Sequence, residues 1–302
     1  MSQNDSKIAK AILKTLVFFD IFNYPLTLTE IWQYLYAPGD EKISINVINQ
    51  KLNSPELKSK IGFAQGFYFI LGKEKNVDLR KERYLIAEPK LKKAKRFIKY
   101  LRHLGGVRGV AISNTLALHH SRRDADIDIF IITRSGKIWS SRFWSLLPLY
   151  IFGKRPTPQS TRDKFCLSFW VDEKSLDISP WKLERDIYYI YWLATLMPIY
   201  DQGVFNKFWQ ENKWINKFLP NFSVPEISTR LKVRGSWRLP MLGENIFKTA
   251  QKMIMPQELK ALGQSDSSAV VIKAGVLKFH PTDRREDFQK IFNNTYKRIT
   301  AQ

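Results

Sequence analysis

Asp126 and Asp128 are separated by one residue in the run Asp124-Ala-Asp-Ile-Asp-Ile-Phe-Ile-Ile-Thr133. Side chains alternate faces along a strand, so these two acids project to one side and Ile127 and Ile129 to the other. Two carboxylates about 7 Å apart on one strand can hold one or two hard cations, which take oxygen ligands. Asp124 shares their parity but lies nearer the preceding loop. Asp is depleted in strands, so two in alternation call for a chemical reason. Ten residues separate Asp126 from Thr115, the last of the small polar trio Ser113, Asn114 and Thr115. That trio follows the apolar run Val107 to Ile112, which reads as a buried strand. A turn of this kind offers backbone N–H groups and a hydroxyl to phosphate oxygens. Together the acids and the turn describe a site for Mg²⁺ and a nucleoside triphosphate.

The stretch resembles the nucleotidyltransferase fold of the DNA polymerase beta superfamily. That family's pattern is a hydrophobic strand, Gly-Ser, a short connection, then Asp-x-Asp on the next strand. Thr115 matches the Ser, and Asp126 and Asp128 match the two metal-binding carboxylates. Asn114 stands where the family has Gly. Gly there lets the backbone approach the triphosphate with φ > 0. Asn tolerates the same φ, so the turn is expected to persist with a side chain crowding it. Active members of the superfamily carry a third carboxylate on a later strand. Here Asp172 is the candidate, at the end of Lys164-Phe-Cys-Leu-Ser-Phe-Trp-Val-Asp172 and in parity with Cys166, Ser168 and Trp170. Two further segments, Phe19-Asp-Ile-Phe-Asn-Tyr-Pro-Leu-Thr27 and Phe279-His-Pro-Thr-Asp283, are similar to bacterial nucleotidyltransferase-like proteins that carry an N-terminal winged helix.

The surrounding elements follow from periodicity and punctuation. Ile8, Ile12, Leu16 and Phe19 mark a helical face. Thr27-Leu-Thr-Glu30 is a capping box that opens a second helix. A third helix spans roughly 44–52, and 61–71 reads as two strands around a Gln-Gly turn. Three helices and a hairpin is the order of a winged helix, whose third helix would present Asn46, Asn49, Gln50 and Lys51 to a DNA groove. A long basic helix over 78–104 buries Leu91, Ala94, Ile98 and Leu101, with Lys90, Lys92, Lys93, Lys95, Arg96, Lys99 and Arg102 largely outside. Trp139 to Phe152 is an aromatic helix. Residues 181–199 and 205–219 read as two more helices, 269–279 as a strand or hairpin, and the chain from His280 leads into a last helix. His280, Asp283, Arg284 and Arg285 form a polar cluster or cap that helix, the cap being the plainer reading.

The expected class is therefore α+β: a winged helix over 1–76, a small mixed-sheet nucleotidyltransferase-like core over 77–175, and a mostly helical region over 176–302. The net charge of +21 suits polyanionic partners, nucleotide or nucleic acid. The single cysteine, Cys166, excludes an internal disulfide and reads as a core residue. His119 and His120 are adjacent, so they cannot both face one metal from a strand, and no cysteine pair completes a zinc pattern. With Arg122 and Arg123 they occupy the loop before the acids, as triphosphate contacts or as a solvated loop. No apolar run reaches membrane-spanning length, although 138–155 could lie on an anionic membrane surface. The opening Met-Ser-Gln-Asn-Asp-Ser lacks the regions of a signal peptide, and a cytoplasmic protein is expected. Two functions fit: a Mg-dependent transfer of nucleoside monophosphate to a hydroxyl acceptor, or a non-catalytic winged-helix regulator whose degenerate nucleotidyltransferase domain binds nucleotide or nucleic acid.

Overall fold

The computed structural model describes residues 3–39, 41–157, 159–226, 229–235, 238–265 and 268–301. Helix α1 (Gln3–Asp20) is followed by α2 (Leu28–Gln33), α3 (Ile45–Leu52) and the single turn α4 (Pro55–Lys58). The hairpin of β1 (Ile61–Ala64) and β2 (Phe67–Ile70) turns at Gln65 and Gly66, with φ of 52° and 85°. Both signs are those of a type I′ turn, whose twist matches the flanking strands. The capping box at α2 forms as the sequence implies. Glu30 N donates to Thr27 Oγ1 at 3.3 Å, and Thr27 N donates to Glu30 Oε2 at 2.8 Å. Thr27→Ala should cost about 1 kcal/mol of stability, read from urea unfolding.

The long helix α5 (Lys75–Leu101) is bound to this module by Arg80, whose guanidinium meets both oxygens of Glu30 at 2.8 and 2.7 Å. It also lies 4.0 Å from the centre of the Tyr24 ring. Lys90, expected outside, is 3% exposed. It falls three residues after Ala87 and four before Ala94, both buried, so it sits on the apolar stripe itself.

Then come β3 (Val107–Ile112), the one-turn α6 (Asn114–Ala117), β4 (Ile127–Thr133), α7 (Ile138–Ile151), β5 (Phe165–Asp172) and α8 (Ile187–Ala194). The chain continues through β6 (Met197–Asp201), α9 (Val204–Glu211), α10 (Glu244–Met253), α11 (Gln257–Gln264), β7 (Val270–Lys273), β8 (Val276–Phe279) and α12 (Arg285–Thr300). The main sheet is mixed, in the order β6-β3-β4-β5-β8-β7, with only β4 and β5 parallel. The hairpin at 269–279 is where the sequence put it. Residues 197–201 form a strand and not the end of a helix. Pro198 cannot continue a helix, and an edge strand tolerates its missing N–H.

One sheet face, through Ala111, Phe130, Ile132, Phe169 and Val171, shares a core with α1, α8 and α9. Phe18 stacks on Tyr191 at 4.2 Å within it, so α1 and the sheet share one core. The other face, through Val110, Ile129, Ile131, Leu167 and Trp170, packs against α5 and α7. No helix among the described residues is long and apolar enough to cross a membrane.

Candidate active site

The register between β3 and β4 determines how the turn meets the acids. Ile112 pairs with Ile129, so the chain leaves β3 just as β4 begins, and Ser113 N donates to Asp128 O at 3.1 Å. Asn114 follows with φ of 58°, a left-handed conformation that Asn tolerates better than most residues. Its side chain does not point away. Tyr188 from α8 donates its hydroxyl to Asn114 Oδ1 at 3.0 Å, and the Asn114 amide donates to Asp128. Thr115 is half-buried and lines a cleft together with Asn114 and the two acids, its carbonyl accepting from His120 N at 3.0 Å.

Asp126 and Asp128 point to one side of the sheet, and Cys166 joins them. One ligand atom from each of the three lies within 4.8 Å of the others. Cys166 pairs with Asp128 across the parallel β4–β5 ladder, so its thiol faces the carboxylates instead of the core expected for it. The loop before Asp126 is held from behind by Lys90, whose ammonium donates to the carbonyls of Arg123 and Ala125 and lies 3.3 Å from Asp163.

Asp172 does not join the pair. It ends β5 opposite Thr133, six residues past Cys166 and about 15–20 Å along the strand. Its carboxylate accepts instead from Lys174 N at 2.9 Å. The parity argument fails at a bulge. The β4–β5 register shifts between Asp128 and Phe130, so Phe169 takes the face of Asp128 and Cys166 while Trp170 takes the other.

The electrostatics follow from burial. Asp128 has its pKa pushed up to about 7, first by desolvation and then by the charge of Asp126; the Asn114 amide and Cys166 thiol oppose this. Asp126 is raised by desolvation as well, with Lys90 pulling it back. The Cys166 thiol is pushed up by burial and then by Asp128. Like charges this close ionise together only at a cost, which a bound cation removes. The donor set fits a divalent ion. It does not fit Mg²⁺ in particular, because a hard ion takes oxygen ligands and one of these three atoms is sulfur.

Two clefts meet at the acids, and both are lined by Asn114, Asp126, Asp128 and Tyr188. The larger, about 390 Å³, continues to Lys278 and His280 on and after β8 and to Arg284. Burial and then Arg285 lower the Lys278 ammonium to about 7, and burial and then Lys278 lower His280 to about 4. The smaller, about 290 Å³, runs under Arg83, His120 and Arg122. His120 is 1% exposed with Nε2 3.0 Å from the Phe22 carbonyl, and burial and then Arg83 lower it to about 4. It is a structural neighbour of the cleft, while Arg122 and Arg123 are exposed and His119 meets Glu88 at 3.1 Å.

The sequence reads Cys166 as core and Lys90 as outward-facing, and assigns Tyr188 and Lys278 no part in the site. It reads the residues from His280 mainly as a helix cap. Arg285 instead builds an ion cluster, 2.9 Å from Asp186 and 2.5 Å from Asp283. The lysine on the buried stripe of α5 was the one signal available beforehand. No family model matches the chain, nor does any curated protein or solved structure.

Proposed function

We propose that the chain is a divalent-ion-dependent nucleotidyltransferase that moves a nucleoside monophosphate from a triphosphate to a hydroxyl acceptor. The observation carrying this is the convergence of Asp126 and Asp128 at the junction of two clefts, with space on one side for a nucleotide and on the other for an acceptor. In this reading the acceptor hydroxyl gives its proton to solvent as its oxygen attacks the α-phosphate, the α–β phosphoanhydride bond breaks and pyrophosphate leaves. A metal ion there would orient phosphate oxygens and offset their developing charge. Asp126 and Asp128 would hold that ion, and Asn114 and Thr115, which line the clefts, would contact the phosphates. Lys90 keeps the loop before Asp126 in position through its two carbonyl contacts. A nucleic-acid acceptor suits the net charge of +21.

The N-terminal order of helices and hairpin supports a winged helix, with Asn46, Asn49 and Gln50 exposed on α3. Lys51 turns inward to Glu56 at 3.6 Å, leaving that face uncharged. One observation favours the non-catalytic reading: the Asn114 side chain, at a backbone φ of 58°, fills space that a glycine would leave to a triphosphate.

Transfer is measured with labelled triphosphates, divalent ions and total cellular RNA beside an Asp126→Ala/Asp128→Ala control. The enzyme reading expects label transfer that falls by about three orders of magnitude in the control, the scale of several kcal/mol of lost charge stabilisation. Triphosphate binding without transfer, together with a salt-sensitive shift of duplex DNA, would favour the regulator.

A further inference from the structure

We propose that Asp126, Asp128 and Cys166 form a three-ligand zinc site, in place of the magnesium site that the acid pair alone suggests. The inference rests on reading the two acids as metal ligands, but it does not need nucleotidyl transfer to occur.

The donor set carries it. Two carboxylate oxygens and one sulfur lie within 4.8 Å of one another. A tetrahedral zinc with Zn–O near 2.1 Å and Zn–S near 2.3 Å needs its ligand atoms about 3.5 Å apart. Rotation of the two aspartate side chains about χ1 and χ2 would close that gap. Three protein ligands with a fourth position open is the arrangement of catalytic zinc, and here all three side chains line the larger cleft. Thiolate favours zinc over magnesium, which dehydrates reluctantly and takes oxygen.

The site is fixed by the fold. Cys166 and Asp128 are cross-strand partners, and Asp126 precedes Asp128 by two residues on the same face. Each side of the cluster has an orienting polar group. Asn114, itself held by Tyr188, bonds Asp128. Ser168, which meets His280 Nε2 at 3.0 Å, bonds Cys166. Such outer partners aim metal ligands. Asp172, the oxygen donor that would have completed a magnesium site, lies at the far end of β5. On binding, the Cys166 thiol gives its proton to solvent and its sulfur takes the metal in place of the hydrogen bond to Asp128.

The test uses the full chain, stripped of metal, without nucleotide. Titration with Co²⁺ should produce the near-ultraviolet sulfur-to-cobalt charge-transfer band. Zn²⁺ should abolish the band stoichiometrically, and Mg²⁺ in large excess should not. Cys166→Ser should lose the band and weaken zinc, measured against a chromophoric chelator, by at least about a hundredfold, the upper end of what losing one outer-shell partner costs. Cys166→Asp makes the set all-oxygen and should also lose the band while shifting preference toward Mg²⁺ and Mn²⁺. A wild-type protein without the band, or zinc affinity unchanged in Cys166→Ser, overturns the proposal. Because no nucleotide is present, a protein that binds zinc but transfers nothing sinks the transferase reading alone.

Discussion

Asp128→Asn should stabilise the metal-free protein at pH 8, do almost nothing at pH 4, and abolish stabilisation by divalent ions. The sign follows from the direction of the shift. The folded pKa of Asp128 is raised to about 7 by burial and by Asp126. A carboxyl raised this way binds its proton more tightly folded than unfolded. Its relative contribution is fully present below the ordinary Asp value near 3.9 and is lost as pH rises through about 7. Asparagine resembles the protonated acid and never ionises, so the variant escapes the loss. Three pH units would be about 4 kcal/mol if nothing relaxed, and about 2–4 kcal/mol is the expected gain above pH 7. Urea unfolding of both proteins across pH 4–8 reads it. Saturating metal, at a hundred times its dissociation constant, should stabilise the wild type by about 2.7 kcal/mol and leave the variant nearly unchanged. A wild-type-to-variant difference that is flat across pH would remove the claim that Asp126 and Asp128 repel one another in a shared, poorly solvated space.

Much of this site was legible because it is written in short-range alternation. The parity of Asp126 and Asp128, the polar turn after Val107–Ile112 and the positive φ of Asn114 depend on a few adjacent residues. The class of fold was legible for the same reason, with hydrophobic period and turn residues marking β3, β4, β5 and the N-terminal hairpin. What escaped depends on register or on distant sequence. Cys166 sits in an apolar run and looks like core until its pairing with Asp128 is known. Asp172 shares its sequence parity, and a bulge between them cancels it. Tyr188, Lys278 and His280 reach the cleft from α8 and the β8 end, with nothing local to announce the convergence. The strand at 197–201 was hidden in an aromatic helix pattern, and Pro198 was its only mark.

Arg285→Ala should cost about 3–5 kcal/mol, the loss expected when one partner of a buried pair is removed. Arg285 is 5% exposed and Asp186 3%. Asp186 lies at the entry of α8, where its carboxylate accepts from Tyr189 N at 2.9 Å and Leu183 N at 3.1 Å. Without the guanidinium these two amides alone must stabilise a buried negative charge, at the start of the helix that carries Tyr188. Asp283 loses the same partner, and its depressed pKa, set against burial mainly by hydrogen bonds from Arg285, should return toward the ordinary range. A depressed carboxyl contributes stability above its unfolded pKa and loses it as pH falls through the folded one. The variant should therefore differ most from the wild type near neutrality and converge with it below about pH 4. Adding Asp186→Asn, which removes the stranded charge but keeps an acceptor for Tyr189 N, should recover part of the loss. If Arg285→Ala alone costs less than about 1 kcal/mol, or the second change deepens the damage, the cluster is packing and not charge compensation. The consequence reaches the acids through one path. Loosening α8 frees the Tyr188 hydroxyl from Asn114, and Asn114 is the group that orients Asp128.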